Sequence, residues 1–132
     1  MFSHVFMGVS DFERALAFYQ PVLACLGLTQ RFVDAERPWA GWHSAAGQRP
    51  LFVISAPHDG QPHAAGNGQM VAFAAASRPL VDQAHATALA QGGRCEGPPG
   101  LRPQYHAHYY GAYVRDPEGN KIAFACHEPA AE

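Results

Sequence analysis

The sequence predicts an α+β domain: two βαβββ modules forming a curved mixed sheet around a cavity, with the helices on the outer face. Three observations predict it. A strand-like run, a helical run and three further strand-like runs occur in that order twice, separated by the Pro- and Gly-rich stretch "APHDGQPHAAGNG". Helical periodicity occurs in only two segments, one in each half. Several strand-like runs alternate bulky residues with small or apolar ones, the pattern of a sheet with helices against one face only. The 132 residues suit one domain, with module one at about 1–56, a linker at about 57–68 and module two at about 69–127.

Residues 4–9 read as the first strand. Phe12, Ala15, Leu16, Tyr19, Val22, Leu23 and Leu26 then recur at helical spacing, and Ser10 with Glu13 has the form of a capping box. Pro21 is expected to end this helix and open a separate final turn, because proline lacks the N–H that a helix interior needs. Gly27 closes the element. Strands are expected near 28–34, 39–44 and 51–55. In module two, Met70–Ala76 is a strand, and Ser77 caps a helix with Pro79 in its first turn that stops at Gly92-Gly93. A short strand is expected at Arg94–Glu96, and "GPPGLRPQ" reads as a loop. Strands near 107–115 and 120–127 flank the turn "DPEGN".

Composition narrows the function. The net charge is −2, and no basic stripe is present to hold nucleic acid. No run of about 20 apolar residues is long enough to span a membrane, and the start has no signal-peptide pattern. A cytoplasmic protein is expected. Cys25, Cys95 and Cys126 are odd in number and widely spaced, which suits small buried hydrophobes in a reducing compartment. His58, His63 and His85 read as solvated surface residues.

If the bulky residues of each strand pack on the helices, the opposite face carries His4, Phe6 and Gly8, then Leu51 and Val53, then Met70, Ala72 and Ala74, and finally Ala123 and Ala125. An apolar face of this kind packs on another sheet or curves into a ligand cavity. Pairing Arg115 with Asn120 across the hairpin sets Tyr110 opposite Ala125 and His108 opposite His127, and so places both on the cavity face. A slip of one residue replaces them with Tyr109 and Tyr113. The stretch "LRPQYHAHYYGAY" offers Arg102 and Tyr105 as further contacts, suited to an aromatic or anionic ligand. Trp42 lines the opposite wall or fills the core.

The segments "HVFMGVSDFERALAFYQPVLACLGL", "MVAFAAASRPLVDQAHATALAQGG" and "YVRDPEGNKIAF" resemble the vicinal oxygen chelate superfamily. That group includes glyoxalase I, fosfomycin-resistance thiol transferases, extradiol dioxygenases and bleomycin-resistance proteins. The resemblance implies the doubled βαβββ fold and a homodimer. It also implies, in the metal-dependent members, one divalent ion held by the first, fourth, fifth and eighth strands. The matching positions here are His4, Val53, Met70 and Ala123, and of these only His4 is a good donor to a hard ion.

The resulting expectation is a protein with no metal or other cofactor, whose cavity binds a small apolar or aromatic molecule. Phe6, Trp42, Val53, Met70, Arg102, Tyr105 and Ala123 are the candidate contacts, and His4, His108 and Tyr110 the candidate catalytic groups. The alternatives are a divalent-metal-dependent lyase or dioxygenase, and a structural dimer with a vestigial site.

Overall fold

The structure, a computed structural model, describes residues 1–131. Its elements are β1 (His4–Gly8), α1 (Phe12–Cys25), β2 (Thr29–Asp34), β3 (Trp39–His43), β4 (Leu51–Ser55), β5 (Val71–Ala74), α2 (Arg78–Ala90), β6 (Arg94–Leu101), β7 (Tyr110–Arg115) and β8 (Lys121–Cys126). They form two four-stranded mixed sheets of matching order, β1-β4-β3-β2 and β5-β8-β7-β6. In each sheet the first strand of a module pairs parallel with its last, and the other pairings are antiparallel. The two-module α+β architecture is therefore as the element order predicts, and the sheets are not closed.

α1 begins one residue later than the capping pattern suggests. Asp11 is the N-cap and accepts from the Arg14 N–H at 3.1 Å. The Ser10 hydroxyl instead accepts from the His63 N–H at 2.7 Å. The N–H groups just before the helix are met from module two, where the Glu118 carboxylate accepts from Ser10 N and Asp11 N at 2.9 and 2.8 Å. Pro21 does not divide the helix; α1 runs through it. Phe18 and Tyr19 before the proline, and Val22 and Leu23 after it, are all fully buried. Burying such side chains is worth about 1.5–3 kcal/mol each, which together exceeds the roughly 3 kcal/mol that an interior proline costs. Gly27, at φ +76°, ends the helix: its N–H reaches Ala24 O, and the Leu28 N–H reaches Leu23 O, both at 3.1 Å.

The core lies between the two helices and one face of each sheet. Tyr19 packs against Phe52, Phe52 against Phe73 and Phe73 against Phe124, at ring separations of 5.3, 4.9 and 6.4 Å, so one aromatic chain crosses from module one into module two. Trp42 belongs to this core. It is 2 % exposed and stands 6.5 Å from Tyr19, on the helix side of β3 and not on a cavity wall. His85, expected in solvent, is buried on the inner side of α2 with its Nε2 3.2 Å from Cys95 Sγ. Cys126 is buried and Cys25 partly so, but Cys95 is exposed.

β6 is longer than expected and takes in the "GPPG" segment. It is an edge strand, and its pairing with β7 shifts between Gly97 and Gly100, so Pro98 and Pro99 fall where no ladder hydrogen bond is required. The β7–β8 register differs by one residue from the pairing of Arg115 with Asn120. Arg115 pairs with Lys121, Tyr113 with Ala123 and Gly111 with Ala125. Asn120 is drawn out of the ladder because its side chain donates to Gly8 O and to Asp116, at 3.1 and 3.0 Å, and its backbone N–H also goes to Asp116.

Candidate functional site

With this register, the helix-free face of module two carries Tyr113 where Tyr110 and its neighbours were expected. Tyr110 points to the helix side: its hydroxyl donates to Asp82 of α2 at 2.6 Å, and Arg78 lies over its ring. That hydrogen bond, and then burial, raise the Tyr110 phenol above its ordinary range. His108 is outside any strand, exposed, and gives its backbone N–H to His106 Nδ1. His106 in turn stacks on His127, with 2.8 Å between their nitrogens.

Glycines of β6 and β7 leave room for two tyrosine rings. A Cβ on Gly111 would stand 2.7 Å from Tyr109 Cε1, and one on Gly97 would stand 3.0 Å from Tyr113 Cδ2. The two phenols are linked at 2.9 Å, and Tyr105 packs on Tyr109 at 4.9 Å while remaining 62 % exposed. Ala123 has no exposed surface although it faces away from the helices. Tyr113 sits directly opposite it, and Lys121, two residues earlier on the same face, holds its ammonium 5.5 Å from the centre of the Tyr113 ring. Burial first, and then the hydrogen bond with Tyr109, push the Tyr113 phenol above its ordinary range.

The Arg102 guanidinium lies 5.5 Å from the Tyr113 ring centre, on the other side of the cluster from β8. It rests over Gly97 and Gly100, where added Cβ atoms would come within 3.3 and 3.1 Å of its nitrogens, and it donates to Pro98 O at 2.7 Å. The glycines of "EGPPGL" thus seat a cation on the sheet. Composition pointed to Arg102, but the seat could not be found without the β6 bulge.

Between the modules, a cavity of about 360 Å³ is lined by Phe6, Gly8, His63, Gln69, Met70 and Lys121. A second, more apolar cavity of about 540 Å³ adjoins it, with Val5, Phe52 and Phe73 on its wall and Met70 and Val71 shared between the two. Both volumes are in the range of small-molecule sites. Phe6 and Met70 are exposed here, at 55 % and 45 %. Val53, paired with Phe6, is buried. His4 is exposed, hydrogen-bonded to the Ser3 hydroxyl and set edge-on to Phe6 at 6.3 Å, and it lines neither cavity. The structure therefore gathers Phe6, Met70, Arg102, Tyr105 and Ala123 on or beside one face. It leaves His108 on the exposed rim, and Tyr110 and Trp42 on the helix side. Tyr109 and Tyr113, which the sequence offers only for a register slipped by one residue, and Lys121, which it does not single out, lie on this face as well.

The four positions matched to metal ligands do not fit a divalent ion. Val53 and Ala123 supply no donor, Met70 supplies a thioether, and position 123 is closed in beside Tyr113. Among the described residues, no three His, Cys, Asp or Glu side chains converge where they could hold a metal.

The family model of the Glyoxalase/Bleomycin resistance protein/Dioxygenase superfamily matches residues 1–124. Among solved structures, the chain is 41% identical to a glyoxalase/bleomycin resistance protein from Albidiferax ferrireducens T118, with 96% of this chain and 98% of that one covered and a TM-score of 0.85. It shares its fold with a glyoxalase/bleomycin resistance protein/dioxygenase family enzyme from Burkholderia phytofirmans PsJN, at 21% identity, 96% and 98% coverage and a TM-score of 0.71. It also shares it with a lactoylglutathione lyase from Agrobacterium tumefaciens, at 19% identity, 96% and 92% coverage and a TM-score of 0.64. Among curated proteins none matches. The doubled module, its sheet order and these likenesses agree: the chain belongs to the glyoxalase/bleomycin resistance protein/dioxygenase superfamily.

Proposed function

We propose that this protein binds a small apolar or aromatic molecule on the helix-free face without the help of a metal ion. The observation that carries this reading is position 123. Where the resemblance calls for a carboxylate, a buried alanine stands opposite Tyr113. The inter-module cavity is walled by Phe6 and Met70, both open to solvent, and by Lys121, whose ammonium lies 5.5 Å from the Tyr113 ring centre. Covering exposed apolar surface returns about 25 cal/mol per Å² and provides the driving force, while the phenols orient the ligand.

Two measurements on protein purified without a polyhistidine tag test the reading. Elemental analysis is expected to find well under one equivalent of Ni, Zn, Mn or Fe per chain. Titration with the neutral probe 2-naphthamide is expected to saturate at one molecule per chain. A stoichiometric, tightly held metal overturns the metal-free reading, and failure of aromatic probes to bind overturns the binding reading.

A further inference from the structure

Arg102 and Lys121 flank the same tyrosine ring, and neither has a carboxylate partner among the described residues. Lys121 is the only lysine in the chain. Acid is present nearby: Glu96 lies 2.8 Å from Arg115 Nε and 3.8 Å from Arg94, and its charge is engaged by those two arginines. Glu96 is thus paired with Arg94 and Arg115, and the two cations beside Tyr113, Arg102 and Lys121, make no ion pair among the described residues. The Arg102 fork is held in place by the backbone, since one N–H is taken by Pro98 O and the glycines beneath admit no side chain. A preset guanidinium loses little freedom when it pairs with a planar anion, and its parallel N–H groups match a carboxylate. Tyr113 adds a phenol paired with that of Tyr109, and either hydroxyl can be the donor.

We propose that the ligand of this face is a planar aromatic carboxylate, its carboxylate held by Arg102 and Lys121 and its ring laid among Tyr109, Tyr113 and Phe6. This rests on the preceding reading that the face is a small-molecule site. The surface has each part such a ligand needs: aromatic rings for its plane, an apolar cavity for its far edge, and two cations with no partner of their own. A neutral ligand of the same shape leaves both cations without a counter-charge in a partly desolvated site, so the preference arises from charge and not from shape.

The test compares 2-naphthoate with 2-naphthamide, which differ little in shape but differ in charge, by calorimetry on the wild-type protein and on Arg102→Met, Lys121→Met and Gly100→Ala. The naphthoate is expected to bind at least tenfold more tightly than the amide, with an affinity that falls as salt rises. Arg102→Met and Lys121→Met are each expected to remove most of that preference, read as the ratio of naphthoate to amide affinity in the same variant. Gly100→Ala, which keeps the arginine but displaces its guanidinium, is expected to reduce it as well. Thermal unfolding identifies any variant that fails to fold, and Lys121→Met, whose ammonium makes no hydrogen bond or ion pair among the described residues, keeps the test decisive. Equal binding of naphthoate and amide by the wild type overturns the carboxylate assignment and leaves the small-molecule reading standing. A naphthoate preference that survives both cation substitutions also overturns the assignment. Binding of neither probe overturns both.

Discussion

The Tyr19 hydroxyl donates a 2.6 Å hydrogen bond to Asp116 Oδ2, joining the first helix to the last hairpin across 97 positions of sequence. Both residues are buried, at 0 % and 4 % exposure. Asp116 also accepts from the backbone N–H groups of Glu118 and Asn120 and from the Asn120 amide, so its buried charge is compensated by four donors. A turn aspartate of the "DPEGN" type has a local role in shaping its loop. Here the same carboxylate also fastens one module to the other.

Tyr19→Phe removes one of those donors without changing the shape of the core. Loss of a hydrogen bond to a charged group is expected to lower unfolding stability by about 1.5–3 kcal/mol, read from urea denaturation. Burial first, and then the charge of Asp116, hold the Tyr19 phenol well above its ordinary range. The folded state therefore keeps a proton that the unfolded chain releases above about pH 10. The wild type is expected to have this contribution in full below that pH and to lose it as pH rises through the folded-state value. Tyr19→Phe should show a flatter alkaline limb, and an unchanged limb would mean that another group dominates.

Glu118→Ala is expected to cost about 1–3 kcal/mol. Its carboxylate, only 7 % exposed, accepts from two N–H groups at the start of α1 and stands 3.8 Å from Arg14. The substitution removes a charge-assisted cap that the chain between Ser10 and Phe12 cannot replace. Hydrogen exchange is expected to quicken first in the opening turn of α1. Uniform quickening throughout the chain would argue against a capping role.

Gly111→Ala places a Cβ 2.7 Å from the Tyr109 ring and 3.3 Å from Phe124 O. The ring must lift, which breaks the phenol pair with Tyr113, at a cost of about 1–3 kcal/mol for overpacking. Near-ultraviolet circular dichroism is expected to lose tyrosine signal while the far-ultraviolet spectrum stays unchanged. Unaltered tyrosine signal would show that Tyr109 does not lie on this glycine.

Tyr113→Ala is expected to weaken binding of an aromatic probe at least fivefold, whereas Tyr110→Phe changes it less than twofold. The two residues lie three positions apart on β7 and on opposite faces. Tyr110→Phe instead loses the hydrogen bond to Asp82, worth about 1 kcal/mol at a partly exposed site. The reverse pattern of effects would place the binding surface on the helix side.

Much of the fold was legible in the sequence, because its signals are local. Gly27, Gly92 and Gly119 occupy positive-φ positions at the ends of elements, and Val81, Ala84 and Ala88 face inward on α2 at helical spacing. The repeated order of elements gave the two modules before any contact was known. Pro21 does not end α1 because the packing on either side of it outweighs its local penalty, and "GPPG" continues as strand because an edge strand tolerates prolines that a central strand does not.

The site was less legible, and a single step of register accounts for most of the difference. In a strand the side chain alternates with every residue, so moving the partner of Arg115 from Asn120 to Lys121 exchanges Tyr110 for Tyr113 on the helix-free face, beside Lys121. Within "DPEGN" Asp116 accepts from the N–H groups of Glu118 and Asn120, and the turn is held from module one by Asn120, whose side chain reaches Gly8 O across 112 positions, and by the bond of Asp116 to Tyr19. Residue order, periodicity and turn chemistry are properties of neighbours in the chain and can be read from it. Which tyrosine meets a ligand depends on hydrogen bonds between segments that become neighbours only when both modules have packed.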